Sequence, residues 1–390
     1  TTPGAAPALT PSITTLKTGL TVVTEPSALT STVSLTYPSA GSSNELPSES
    51  GAAIANRYLA FKSGKELSSA LITRSIEDVG ANMFASAGRR GATVGYTALK
   101  ENAAWISPLL AVRSGFEKWD VRDAVKLAGK EIDEAKANAQ VALTDQIYAA
   151  AYGPQSSLGR SYYTPNASRS SIVSFRERTY TLNGAVLAAT GISDHEAFVR
   201  MVEDEFPAAA PPKFEKVECA YLAGEARLDA PSTGATHLAL AFKGPSSTPL
   251  ANVLKSVINM STGACAFSSS GLFGVHLVCA PSSADATIDV LTKAVTSAPS
   301  SDIISKAKAA AKAEALATLS GGSKSLADAM TASILETCTF SPSALAESYD
   351  AVSEADVKKA LDDLKKGGVS LAAVGDLSYV PYRATIAGRF

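Results

Sequence analysis

Histidine is nearly missing from this chain. Among 390 residues there are three, His195, His237 and His276, so the first half has no imidazole before His195. No two are close in sequence or share a carboxylate at ligand spacing, which leaves zinc and non-haem iron without an evident local site. His195 falls at a helix start, while His237 and His276 alternate with Leu238 and Leu240, and with Val275 and Leu277, on strand-like runs. Each reads as a structural or surface histidine. The four cysteines, Cys219, Cys265, Cys279 and Cys338, are widely spaced in the second half. With no C-x-x-C pair, a zinc ribbon and a dithiol redox motif are excluded, and buried free thiols in a reducing compartment are expected.

Other absences narrow the function further. There is no G-x-x-x-x-G-K-[ST] loop, no dinucleotide fingerprint and no G-x-S-x-G elbow. Lys plus Arg number 35 against 37 acids, for a net charge of −2, and no basic run stands out. Nucleic acid is therefore not an expected partner. No apolar run approaches the roughly 20 residues needed to cross a bilayer. The longest smooth runs, residues 185–189 and 371–374, have strand length, so any membrane association is expected to go through a protein partner. The chain opens TTPGAAPALTPS, without Met and without an Arg-rich leader, and reads as a mature N-terminus from which a targeting segment has been removed. Asn166-Ala167-Ser168 fits a glycosylation acceptor but reads as a coincidence of composition.

What is present describes an ordinary globular protein, 46% hydrophobic and 18% charged, too long for one hydrophobic core. Residues 51–65, GAAIANRYLAFKSGK, read as a helix with Ile54, Tyr58 and Phe61 on one face and Gly64 as the stop. Before it come a hairpin at 13–24 turning at Thr18-Gly19, a strand at 32–37 with Val33, Leu35 and Tyr37 on one face, and a loop at 40–49. After it come a helix ending at Gly80 and strand character over 83–99. Residues 121–151 read as one long helix with Val121, Val125, Ala128, Ile132, Ala135 and Ala139 as its apolar stripe. A helix near 166–179, a buried strand at 184–192 and a helix capped by Ser193 or Asp194 complete the first half.

Residues 206–216, FPAAAPPKFEK, read as a linker because three prolines forbid a helix or a central strand. The second half repeats the order: strands at 236–243 and 271–280, helices at 250–260, 301–319, 324–337 and 354–366, and a closing strand at 368–377. GAVLAATG at 184–191 matches GVSLAAVG at 368–375, each at the end of its half. The organisation expected is therefore a duplicated α+β domain: residues 1–205, a linker at 206–217, and residues 218–390.

The order of elements resembles the pitrilysin-type, mitochondrial-processing-peptidase superfamily over nearly the whole chain. The resemblance implies two similar α/β-roll halves, each a mostly antiparallel sheet packed against helices. Catalytic members carry H-x-x-E-H-x-x-F-K-G-T, and Phe61-Lys62 fixes the register. Ile54, Arg57 and Tyr58 then stand where the first His ligand, the catalytic Glu and the second His ligand would be. Isoleucine has no donor atom, tyrosine is a poor zinc ligand at neutral pH, and arginine is a cation where a metal should sit. The family's downstream glutamate corresponds to Glu131 or Glu134. Phe84 and Arg90 also depart from the family's N-A-Y-T-S-R-E, whereas Ser157-Leu158-Gly159-Arg160 keeps the last three residues of its P-L-G-R. No catalytic, cofactor-binding or metal-binding residue is expected.

Within the superfamily, Ser270-Gly271-Leu272-Phe273-Gly274 and the end at 365–381 are most similar to the core-protein branch of mitochondrial ubiquinol–cytochrome c reductase, respiratory complex III. That resemblance implies a structural subunit without peptidase activity or cofactor, peripheral to the inner membrane on its matrix side. Its implied partners are a core-1 or β-type homologue, cytochrome b and other subunits of a dimeric complex. The alternative is the α-type, substrate-holding subunit of the processing peptidase. Such a subunit would carry a long Gly-rich loop, yet residues 244–268 hold only Gly244 and Gly263.

Overall fold

The computed structural model describes residues 11–64, 67–102, 116–165, 167–206, 219–230, 234–269 and 271–390. In the first half, the hairpin around Thr18-Gly19 joins β1 (Ser12–Thr15) to β2 (Thr21–Glu25), and β3 (Thr30–Tyr37) follows. The expected loop at 40–49 contains two short 3-10 turns, Ser42–Asn44 and Pro47–Glu49. Then come α1 (Ala52–Tyr58), α2 (Ser69–Asp78), β4 (Asn82–Ala87) and β5 (Ala92–Leu99). Further on lie α3 (Lys118–Ala137), α4 (Ala139–Tyr152), α5 (Arg169–Thr179), β6 (Val186–Thr190) and α6 (His195–Glu205).

Two expectations need correction here. The helix expected over 51–65 ends at Tyr58, because Phe61 adopts a left-handed φ of 61° that no helix continues through. The single helix expected over 121–151 is two. Asn138 is extended, at φ −89° and ψ 109°, and its side-chain oxygen accepts from the N–H groups of Gln140 and Val141. An asparagine offers the backbone this alternative to a helical turn, so it starts a new helix where the apolar stripe alone suggested continuation.

The second half gives β7 (Glu225–Asp229), β8 (Thr236–Lys243), α7 (Thr248–Thr262), β9 (Cys265–Ser269) and β10 (Leu272–Cys279). These are followed by α8 (Ala284–Thr296), α9 (Ser301–Ser320), α10 (Ser323–Thr337) and α11 (Pro342–Asp350). The chain closes with α12 (Glu354–Lys366), β11 (Ser370–Gly375) and α13 (Arg383–Ala387).

The first sheet has the order β1-β2-β6-β3-β5-β4, the second β7-β11-β8-β10-β9. The matching segments noted in the sequence occupy equal places. β6 runs parallel to β2 and antiparallel to β3, and β11 runs parallel to β7 and antiparallel to β8. Every other pairing is antiparallel, as the α/β-roll expectation required.

The chain forms two compact units, and they cut across the division at 206–217. One comprises Thr1–Lys130, Thr164–Lys216 and Leu316–Leu345; the other comprises Glu131–Tyr163, Val217–Ala315 and Ala346–Phe390. Residues 207–218, which include most of the expected linker, lie outside the described residues. α4, from the first half, thus belongs with the second sheet, and α10, from the second half, belongs with the first. This explains why β3 is buried on both faces rather than one. Val33, Leu35 and Tyr37 face one way, with Tyr37 packed 5.0 Å from the ring of Tyr180. Thr32 and Ser34 face the other way and are also buried, with the Thr32 hydroxyl bonded to that of Ser323 on α10.

Candidate functional site

The positions to test are Ile54, Arg57 and Tyr58 on α1. Its start is fixed from outside the helix. The buried carboxylate of Glu45 accepts from the N–H of Gly51 at 3.1 Å and of Ala53 at 2.7 Å, supplying acceptors that the first turn of a helix lacks. Gly51 has φ 83°, and a β-carbon there would lie 2.2 Å from the carbonyl oxygen of Thr164. Only glycine fits that entry. Residues Ala52 to Asn56 are all buried, with α1 packed on α5 and β4. Asn56 donates to the carbonyls of Ala52 and Ile172, tying α1 to α5, while its Oδ1 is buried with no hydrogen-bond partner among the described residues.

On this scaffold Ile54 is 1% exposed and serves as core. Arg57 and Tyr58 are half-buried, and the guanidinium lies 4.7 Å above the Tyr58 ring. That is a cation–π arrangement between neighbouring residues of α1. Phe61, expected on the same apolar face, lies beyond the helix end and is half-buried. Zinc needs lone pairs converging at about 2.0–2.3 Å from sulfur, nitrogen or carboxylate oxygen. An aliphatic side chain packed in the core and a guanidinium stacked on a phenol do not fit it. Of the two candidates for the downstream acid, both on α3, Glu131 is half-buried and Glu134 exposed. No group of three His, Cys, Asp or Glu side chains converges as a metal site among the described residues.

The remaining motif positions lie apart from α1 in sequence. Phe84 lies on β4 with the Lys324 ammonium 4.7 Å over its ring, and Arg90 is exposed in the turn before β5. In the Ser157–Arg160 segment, the Gly159 N–H donates to Ser156 Oγ and the Ser157 hydroxyl lies 3.0 Å from the thiol of Cys219. Leu158 packs against the α4 core.

The histidines separate as well. His195, the first residue of α6, stands between two threonines of the β1–β2 hairpin: Nε2 is 2.8 Å from Thr14 Oγ1 and Nδ1 is 2.8 Å from Thr24 Oγ1. Asp194 is the cap, accepting from the N–H of Ala197. His237 and His276 share one face of the second sheet, and Nε2 of His276 lies 3.4 Å from the amide nitrogen of Gln140. Burial holds all three below the usual imidazole range. All four thiols are free, but contrary to expectation none is buried: Cys265 and Cys338 are exposed, Cys219 and Cys279 half-buried. Sequence reasoning did not single out Glu45 or Asn56. A carboxylate six positions before a glycine carries no signal of the contact it makes.

Two sheets of equivalent strand order, each completed by a helix from the opposite half, define a duplicated α+β fold. Residues 21–166 match the family described as Insulinase (Peptidase family M16). It is 34% identical over 242 residues to mitochondrial-processing peptidase subunit alpha of Solanum tuberosum, covering 60% of this chain and 47% of that protein. The chain thus spans about half the length of that curated relative. It is also 24% identical over 321 residues to cytochrome b-c1 complex subunit 1, mitochondrial, of Mus musculus, covering 69% of this chain and 65% of that protein. Among solved structures, a chain of "Complex III2 from Candida albicans, Inz-5 bound" superposes with a TM-score of 0.81 at 19% identity, covering 97% of this chain and 99% of that one. At that identity the likeness is one of fold.

Proposed function

We propose that this chain is a non-catalytic core subunit of mitochondrial ubiquinol–cytochrome c reductase, corresponding to core protein 2 and needed for assembly and stability of the complex. The observation that carries the reading is the end-to-end match in fold with a chain of a complex III assembly, 97% of one chain against 99% of the other. The substitution of Ile54, Arg57 and Tyr58 supports the absence of peptidase activity. No described helix is long and apolar enough to cross a membrane, which is compatible with a peripheral place on the matrix side of the inner membrane. Its partners there are a core-1 or β-type homologue and, through the complex, cytochrome b. Quinol oxidation and electron transfer belong to other chains.

A second reading, the α-type subunit of the mitochondrial processing peptidase, is favoured by the 34% identity to the Solanum tuberosum protein. Purification from detergent-solubilised inner membrane separates the two. A core subunit co-purifies with a haem-containing complex; recovery only in a two-chain peptidase free of cytochromes overturns the first reading. Metal analysis of the isolated chain is expected to find no stoichiometric zinc, and one zinc per chain would overturn the inactive assignment.

A further inference from the structure

α10 is encoded in the second half of the chain, yet it supplies the second wall of the first sheet. Leu326, Ala327, Met330 and Ile334 pack against Val23, Val186 and Ala188, and all are almost excluded from solvent. The helix enters through hydroxyls: Ser323 Oγ lies 2.8 Å from Oγ1 of both Thr30 and Thr32. α4, encoded in the first half, does the same for the second sheet. Leu143, Ile147, Tyr148 and Ala151 pack with Ala239, Ala241, Ala372 and Val374, and the Tyr148 hydroxyl donates to the carbonyl of Ser269 at 3.2 Å.

A sheet with one apolar face uncovered is an incomplete layer structure and exposes a contiguous apolar patch. Without α10, Val23, Val186 and Ala188 face water, and the hydroxyls of Thr30 and Thr32 lose Ser323. Without α4, the same holds for Ala239, Ala372 and Val374. Each contact joins segments far apart in sequence, so each forms only after a large loop-closure cost has been met.

We propose that the reciprocal exchange of α4 and α10 makes the two chain halves obligate folding partners: neither sheet reaches native packing before the other half's helix docks. The first sheet then stays open until the chain is complete through Thr337.

Pulse-labelling hydrogen exchange during refolding of the full chain tests this without any substitution. Amides of Val22, Val23, Leu187 and Ala188 are expected to gain protection in the same kinetic phase as those of α10. Full protection of these strands in an earlier phase overturns the proposal. Native-state exchange on full-length Met330→Ala supplies the second arm. Truncating a buried methionine should speed exchange by about thirtyfold or more in β6 and α10 alike. An increase confined to α10, with β6 unchanged, overturns the proposal.

Discussion

The ring of Phe267 lies so close over Gly274 that a β-carbon on the glycine would stand 2.4 Å from its tip. The two are directly paired across β9 and β10. The first sheet repeats the device, with Phe84 paired to Gly95 and a β-carbon there 2.5 Å from the Phe84 ring. In both sheets an edge-strand aromatic fills the space left by a glycine on its neighbour. Gly274→Ala is therefore expected to destabilise by about 1–3 kcal/mol through overpacking. Adding Phe267→Leu should return part of that loss. Urea denaturation of the single and double variants measures it, and strict additivity would show that the ring is not the obstacle.

The Glu45 carboxylate is the external cap of α1, and its removal leaves two buried N–H groups without their acceptor. Glu45→Ala should cost about 1–3 kcal/mol. Glu45→Gln should recover part of this, because only one of its two terminal atoms accepts. Chemical denaturation checks the order wild type, Gln, Ala; equal stability of all three would remove Glu45 from the account.

Asn138 separates α3 from α4 by capping the second helix. Asn138→Ala loses that cap, with an expected cost of about 0.5–2 kcal/mol. Asn138→Asp preserves a side-chain acceptor and should stay near wild type. Thermal unfolding followed by circular dichroism distinguishes the two, and a stabilised alanine variant would mean that the break is imposed by packing alone.

Acid should weaken the fold through its histidines before its carboxylates respond. Burial lowers the proton affinity of His195, His237 and His276 in the folded chain, outweighing the opposing pull of Glu196 and Asp194 on His195. As pH falls below the ordinary imidazole value of about 6.5, the unfolded chain takes up protons first, so stability declines from there toward the folded-state values. It is complete above about 6.5. Denaturant midpoints at pH 8, 7, 6 and 5 should fall over the last two steps, and less steeply in His195→Gln. A flat profile would contradict the assignment.

Much of the fold was legible because its signals are local. The alternation in THLALAFK, the glycine-bounded runs that became β6 and β11, and the cap at Asp194 each depend on near neighbours. β7 and β9 escaped notice because EARLD and CAFSS are short edge strands with little alternation of burial. Phe61 misled because its spacing fits a helix while its backbone turns left-handed. The destination of α10 was not readable at all, since its stripe reports that a face is buried and not on which sheet. At the candidate site, the resemblance directed attention to Ile54, Arg57 and Tyr58; the contacts that hold α1, from Glu45 and Ile172, are set by tertiary structure.

The burial of Ile54 at 1% exposure bears on what any polar replacement there would meet. An imidazole placed there would bring two ring nitrogens needing partners into a position closed to water. On the register that the resemblance implies, a single change of Ile54 to histidine therefore lowers stability and supplies no second ligand, so packing itself holds the position apolar.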